Sequence, residues 1–370
     1  MEEQETLKKG DTVHRPYKSS LAVNDLGAEG SYTRQDITNT DESLAINKEK
    51  EISFYVRDID AMQSNYKEIN EYADDAAVKL GNQIDGDVLG EYDQATSDVD
   101  DGDLGGTNNN GITLSTSNID KVFGEANEAL DALDVDMDDR WAVISPQFYS
   151  ILWQRISGRD TMLGDKSGER GHAGSWAGFK LIKSNACGWS ASLAYDATTP
   201  TATDTVTING VVFTFQTTIG VTAGNVLAVT DGVTSLTNLK NFINAPSTTS
   251  ANQVALSAAN QALLKNIVAS ISGGATGTLT LKAEGYSYIA VSETLTPTAD
   301  VWTAALQIQH NLFGQGKPID LVIQKKASVQ TFHRDGYVGS DVVSYVVYGL
   351  KTFTEGKDQL VDFKMRSDAF

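Results

Sequence analysis

The chain has 370 residues, 40% hydrophobic and 21% charged, with 49 acidic against 29 basic residues and a formal net charge of −20. That length holds two or three domains; no stretch approaches the roughly 18 apolar residues of a membrane span; and the single cysteine, Cys187, permits no internal disulfide. The carboxylate excess opposes nonspecific binding of nucleic acid by the body of the chain, and Met1-Glu2-Glu3-Gln4-Glu5 lacks the basic and apolar regions of a signal peptide.

Residues 1–18 form a short arm. Its basic stretch holds Lys8, Lys9 and Arg15, with Lys18 just beyond. These four cations suit contact with nucleic acid or an acidic neighbour, and equally suit a strand with solvated charges. Residues 19–58 read as extended. Ile52, Phe54 and Val56 alternate with polar neighbours, and Leu44 and Ile46 do the same before a polar turn at Asn47-Lys48-Glu49-Lys50. The expectation is a two-stranded arm with few core residues, unstable alone and lying on a partner chain.

From Ile59 to Tyr92 an apolar stripe (Met62, Tyr66, Ile69, Tyr72, Ala76, Leu80, Ile84, Leu89) predicts one long helix of roughly 50 Å. Gly81 and Gly86 predict a bend or break. A polar loop follows. A second helix carries Ile119, Val122, Phe123, Ala126, Leu130 and Leu133. Arg140–Ser145 reads as a strand leading to a helix that starts at Pro146. A glycine-rich loop, 164–178, leads to the strand Phe179–Ile182.

Residues 196–300 differ in texture. These 105 residues carry nine charges and no arginine, against 69 charges on the other 265. The reading is a small β-rich module inserted into a split host domain, since loops tolerate long insertions. Within it, Val206 to Phe215 predicts a hairpin turned at Asn209-Gly210. Leu236 to Ile243 predicts a short helix. Residues 254–268 fit a helix or a strand–helix pair, and Leu279–Leu281 with Ile289–Val291 fit closing strands. After Ala304 the host domain resumes, with strands at 319–324, 342–348, 350–353 and 360–365.

Nothing in the sequence supports an enzyme, a metal or a cofactor. Asp98, Asp100, Asp101 and Asp103 begin like a calcium loop, but the twelfth position is Asn109 where Glu is required. Asp134, Asp136, Asp138 and Asp139 read as a solvated loop. Gly171-His172-Ala173-Gly174 lacks the flanking strand and helix of a phosphate loop. His14, His172, His310 and His333 have no metal-ligand spacing among themselves or with Cys187.

The order of elements resembles the major capsid proteins of tailed bacteriophages. The residues that carry the likeness are Gly10-Asp11-Thr12-Val13, an arm with Arg34-Gln35-Asp36-Ile37, and Phe54–Asp60 running into the long helix. Arg140–Pro146, Gly178–Asn185 and Ser344–Lys351 add to it. It covers about residues 10–190 and 304–370. The family's arm before Gly10 is usually longer than the nine residues here.

The resemblance implies an α+β chain of the Hong Kong 97-like capsid fold: arm 1–18, extended loop 19–58, spine helix 59–92, peripheral and axial domains in 59–195 with 301–370, and the inserted domain 196–300 on the outer surface. It implies self-assembly through hexamers and pentamers into an icosahedral head, in the host bacterial cytoplasm. That head would enclose double-stranded DNA without reading its sequence, with Lys8, Lys9, Arg15 and Lys18 as inner-face contacts. Scaffolding, portal and decoration proteins are further implied partners. The alternative is a phage tail or adhesin protein whose insertion binds a host ligand.

Overall fold

A computed structural model describes residues 11–18, 21–26, 30, 32, 34–37, 39–57, 68–157, 174–229, 231–284, 288–297, 300–333 and 338–366. The chain divides into two units, Met1–Gly81 with Lys317–Lys357, and Asn82–Gly316 with Asp358–Phe370.

In the first unit, strands β1 (Thr12–Lys18) and β2 (Asn39–Ala45) pair antiparallel, Thr12 opposite Ala45 and Lys18 opposite Asn39. A second sheet is built from β3 (Lys48–Arg57) and two strands near the C-terminus, β16 (Ile319–His333) and β17 (Gly339–Thr352). Its order is β16-β17-β3. The apolar alternation of Ile52, Phe54 and Val56 does form a strand. However, the expected pairing within residues 19–58 does not occur: β2 pairs with β1, and β3 with β17. The expected polar turn 47–50 is also corrected, because Lys48 to Lys50 already belong to β3.

The reason is local. Only Ile46 and Asn47 separate β2 from β3, and Ile46-Asn47 lacks the left-handed residue pair that closes a two-residue hairpin. Ile46 is instead buried, and its N–H donates to the Asp11 carbonyl at 2.7 Å. The chain therefore runs straight from one sheet into the next. Leu44, Ile46 and Phe353, with Val13, Val322 and Val347 against them, make the one small apolar cluster found among this unit's described residues. Gly349 is needed there, since a Cβ would lie 2.3 Å from the Ala45 carbonyl oxygen.

Helix α1 (Glu68–Leu89) continues into a 3₁₀ turn, Gly90–Gln94. Residues 58–67, where the long helix was expected to begin, lie outside the described residues. The described 22 residues span about 33 Å. The expected break is absent: the helix runs through Gly81 and Gly86.

The second unit is organised on a nine-stranded sheet. Its strands in chain order are β4 (Ser97–Val99), β5 (Arg140–Ile144), β6 (Ser175–Trp176), β7 (Phe179–Lys183), β8 (Trp189–Tyr195), β12 (Ile267–Gly273), β13 (Gly277–Ala283), β15 (Val301–Gln315) and β18 (Leu360–Arg366). The spatial order is β12-β13-β8-β15-β5-β7-β6, with β18 also on β15 and β4 on β18. Helix α2 (Ile119–Asp131) buries Ile119, Val122, Phe123, Ala126 and Leu130 of its predicted stripe, while Leu133 falls beyond its end, and helix α3 (Pro146–Ser157) buries Phe148, Leu152 and Ile156. Phe123, Phe148, Phe179, Phe313 and Phe363 interlock edge-to-face or tilted at 5.2–6.2 Å between centroids, the geometry ring quadrupoles favour.

Segment 196–300 lies within this unit. A four-stranded sheet, β11-β10-β9-β14, is made of β9 (Thr205–Ile208), β10 (Val211–Gln216), β11 (Asn225–Leu227) and β14 (Val291–Glu293). The hairpin turn falls on Asn209 and Gly210, with φ of 49° and 81°. Helix α4 (Gly232–Asn244) is capped by Asp231, which accepts from the Thr234 N–H at 2.7 Å. The ambiguous stretch 254–268 resolves as helix α5 (Ala258–Leu263) followed by β12.

The segment has its own apolar core, which runs from Trp189 to Trp302 and so takes in β8 and the first turn of β15. Moreover, β13 is hydrogen-bonded to β8 along its whole length. The expectation of a self-contained module thus meets a sheet that crosses its border.

Phe313→Ala should cost about 3–5 kcal/mol in chemical denaturation of the subunit, because five rings share that cavity. Val329→Ala, on exposed β16, should stay within about 0.5 kcal/mol.

Candidate functional site

Of the four arm cations, Lys8 and Lys9 lie outside the described residues, and Lys18 closes β1. Arg15 is committed within its own unit: it reaches Glu355 at 2.7 Å and Asp320 at 3.3 Å, and its guanidinium lies 5.2 Å over the Phe353 ring. Two carboxylates thus offset the charge expected to meet phosphate. The side chain is still 45% exposed, so these pairs add little stability.

The same unit presents two surfaces with little internal support. Between β1 and β2 the described residues of 21–37 contain no strand. The Gln35 side chain substitutes for one by accepting from the Ala22 N–H at 3.0 Å and donating to its carbonyl at 2.5 Å. Leu21, Val23, Leu26, Tyr32 and Ile37 are exposed here. In addition, β16 is an edge strand of 15 residues on which Leu321, Val329 and Phe332 are exposed. A long edge with apolar side chains is a template for further pairing or packing.

The acidic loops are closed by their own backbone. Asp100 accepts from the N–H groups of Gly102 and Asn109, Asp101 from Thr107, and Asp103 from Asp100, while Asp98 pairs with Lys364 at 2.5 Å. Asp134 and Asp139 hold left-handed turns. Among the described residues no three carboxylates, histidines or cysteines converge as a metal set. Gly171-His172-Ala173 lies outside the described residues. Burial pushes the Cys187 thiol up to about 12, which keeps it protonated and a poor nucleophile.

One constellation escaped the sequence reading. His310 on β15 shares its Nδ1 with Asp362 Oδ2 at 2.7 Å, and its Nε2 lies 2.8 Å from Ser190 Oγ. The order Ser–His–Asp matches a nucleophile, base and orienter. The imidazole face is taken, however. Tyr92 stacks on it at 3.6 Å and 8°, and a Cβ on Gly188 would lie 2.4 Å from that ring. Lys282 sits 4.9 Å over Tyr92 and pairs with Asp93 at 2.5 Å. Burial, then the Asp362 and Asp93 carboxylates, push the Tyr92 hydroxyl well above its ordinary range. This arrangement cross-braces β8, β13, β15, β18 and the 3₁₀ turn. The three residues are spread over more than 170 positions, so no motif spacing announces them.

Two surface hollows bear on ligand binding. One, of about 230 Å³, is lined by Pro146, Tyr149, Ser150, Trp153 and Lys183, and the other, of about 520 Å³, by Thr199, Thr217, Leu227, Ala228 and Val229. Neither set carries a convergent group of titratable side chains.

No protein-family model matches this sequence, and no curated protein matches it. Solved structures do. A Mycobacterium phage Che8 chain matches with a TM-score of 0.54 at 16% identity, covering 96% of this chain and 85% of that one. The capsid structure of Cyanophage P-SCSP1u matches at 0.51 and 12% identity, over 98% and 86%. The mature capsid of bacteriophage PhiM1 matches at 0.52 and 9% identity, over 98% and 83%. The chain therefore shares the fold of these phage structures, and the likeness runs over nearly its whole length.

His310→Ala should destabilise the subunit by about 3–5 kcal/mol, because it strands the buried Asp362 carboxylate. Adding Asp362→Asn should cost much less on the His310→Ala background than alone, a non-additivity that denaturant melts of the four proteins would measure.

Proposed function

We propose that the chain is the major capsid protein of a tailed bacteriophage, with the Hong Kong 97-like arrangement of extended loop, spine helix and axial domain. The observation that carries this is the fold likeness to phage capsid subunits over 96–98% of the chain. The first unit supports it physically. Its three-stranded sheet ends in a 15-residue edge strand with exposed apolar side chains, and among the described residues of 21–37 a glutamine side chain takes the place of a strand partner. Copies arranged by closed symmetry would bury the same surfaces many times over.

The product is an icosahedral head of hexamers and pentamers, assembled in the host bacterial cytoplasm with scaffolding, portal and decoration proteins, and then part of the virion. Double-stranded DNA is held by confinement, since a subunit of charge −20 repels phosphate. Direct contact falls to Lys8, Lys9 and Lys18, with Arg15 contributing less because of its ion pairs. The insertion projects from the outer face, where 105 extra residues obstruct neither packed DNA nor subunit seams.

Electron microscopy of the protein expressed with its neighbouring phage genes should show closed shells of uniform size. Persistent monomers, or tubes alone, would overturn the proposal. Replacing 196–300 by a short Gly/Ser linker should still yield shells, but with a lower melting temperature, because β8 loses β13 and the Trp189 and Trp302 side chains lose their core. Lys8, Lys9 and Lys18 all changed to Gln should leave shells intact and weaken DNA contact only slightly.

A further inference from the structure

The chain enters the inserted segment after β8 and leaves it at the start of β15. There the backbone N–H of Asp196 donates to Oδ1 of Asp300 at 2.9 Å, one step beyond the end of the β8–β15 ladder, where Val301 lies opposite Ala194. Asp300 is 1% exposed, and its other oxygen, Oδ2, is buried with no hydrogen-bond partner among the described residues. A buried ionised carboxylate oxygen without a donor is costly, and protonation is the usual relief.

The charged groups that act on it are all acidic. They are Asp196 beside β8, Glu293 on β14 and Asp204 before β9. Each of these three is held by donors elsewhere. Asp196 accepts from the Thr198 N–H at 2.7 Å, Glu293 from the Leu295 N–H at 2.6 Å, and Asp204 from Thr201 and Thr296 through both N–H and hydroxyl at 2.7–2.9 Å. Burial works to raise Asp204, but the bonds from Thr296 and Thr201 outweigh it and hold that carboxyl below its usual range. Asp204 thus stays charged and presents a fixed negative neighbour to Asp300. No three of these groups converge as a metal set among the described residues, so a cation does not relieve the crowding.

We propose that the neck at Asp196 and Asp300 is a proton-operated latch: protonated Asp300 closes the two ends of the insertion on one another, and ionised Asp300 loosens them. Burial foremost, then the charges of Asp196, Glu293 and Asp204, push the Asp300 carboxyl up to about 6, against the lowering effect of the Asp196 N–H bond. The folded value lies above the usual carboxylate value of about 4. The stabilisation is therefore complete below about pH 4 and is lost as pH rises through 6. A rise of that size corresponds to a change of up to roughly 100-fold in the opening equilibrium of the neck.

Hydrogen exchange of the full-length protein tests this, with rates corrected for intrinsic pH dependence and read on peptides covering 192–198 and 300–306. Local opening should increase by tens-fold between pH 4.5 and 7.5, with no such change in β5 or α2. Asp300→Asn should remove the pH dependence, and Glu293→Gln should move its midpoint to lower pH. Identical pH profiles for the native protein and Asp300→Asn would overturn the latch. If Asp300→Asn fails to fold, carbon-labelled aspartate in the native protein decides by NMR. One carboxyl titrating near pH 6, shifted down by Glu293→Gln, supports the proposal, and its absence overturns it. The readout does not depend on shell formation, so it can fail or succeed apart from the capsid reading.

Discussion

The backbone ladder of β15 is the constraint on which the second unit depends. Its first half pairs with β8, from Val301 opposite Ala194 to Gln309 opposite Trp189. Its second half pairs with β18 and β5, from Ile308 to Gln315. A register irregularity between Trp302 and Gln307 lets one strand serve both partners. The aromatic core around Phe313 and the insertion core ending at Trp302 therefore hang on one continuous strand. The strand is buried on both faces from Ile308 to Phe313, and its polar residues must find partners inside. Asn311, fully buried, accepts from the Ser145 N–H at 2.6 Å where β5 hands over to α3. His310 meets the same demand through Asp362 and Ser190. The buried triad follows from a histidine on a doubly covered strand, and its chemistry is that of a brace.

The first unit obeys the opposite rule. Its strands are long, yet its described apolar cluster has three fully counted members. Burial in its three-stranded sheet is concentrated on β17, at Val342, Val346 and Tyr348, while β16 is an edge strand with Leu321, Val329 and Phe332 exposed. A densely packed unit and a more sparsely packed one thus share a single chain.

Much of this was legible in the sequence where the signal is local. Asn209-Gly210 fixed its turn, because both residues tolerate left-handed backbone. Pro146 opened its helix, and the apolar stripe of α2 was buried as its period required. What failed to show depends on distant pairing. The strands of residues 39–57 were visible, but their partners, β1 and β17, lie far along the chain. The texture change at Asp196 and Asp300 sets residues 196–300 apart by composition, yet could not reveal that β13 joins β8, since a shared ladder leaves no compositional mark. Similarly, β8 and β15 were missed because Trp189–Tyr195 and Val301–Gln315 mix small, polar and aromatic residues. Their strand state is imposed by neighbours on both sides.

Charge is distributed as unevenly as packing. Between residues 68 and 140 there are twenty acidic residues against Lys79, Lys121 and Arg140, a net of −17 out of −20 for the whole chain. The insertion and the first unit are close to balanced by comparison. Ion pairs there draw on the few available cations: Arg140 with Asp131 at 2.6 Å, its guanidinium buried, and Arg155 with Asp120 at 2.6 Å. The remaining carboxylates of this stretch repel one another and any phosphate, over a distance that salt shortens to about 10 Å at 0.1 M. A subunit built this way gains no affinity for nucleic acid from its body.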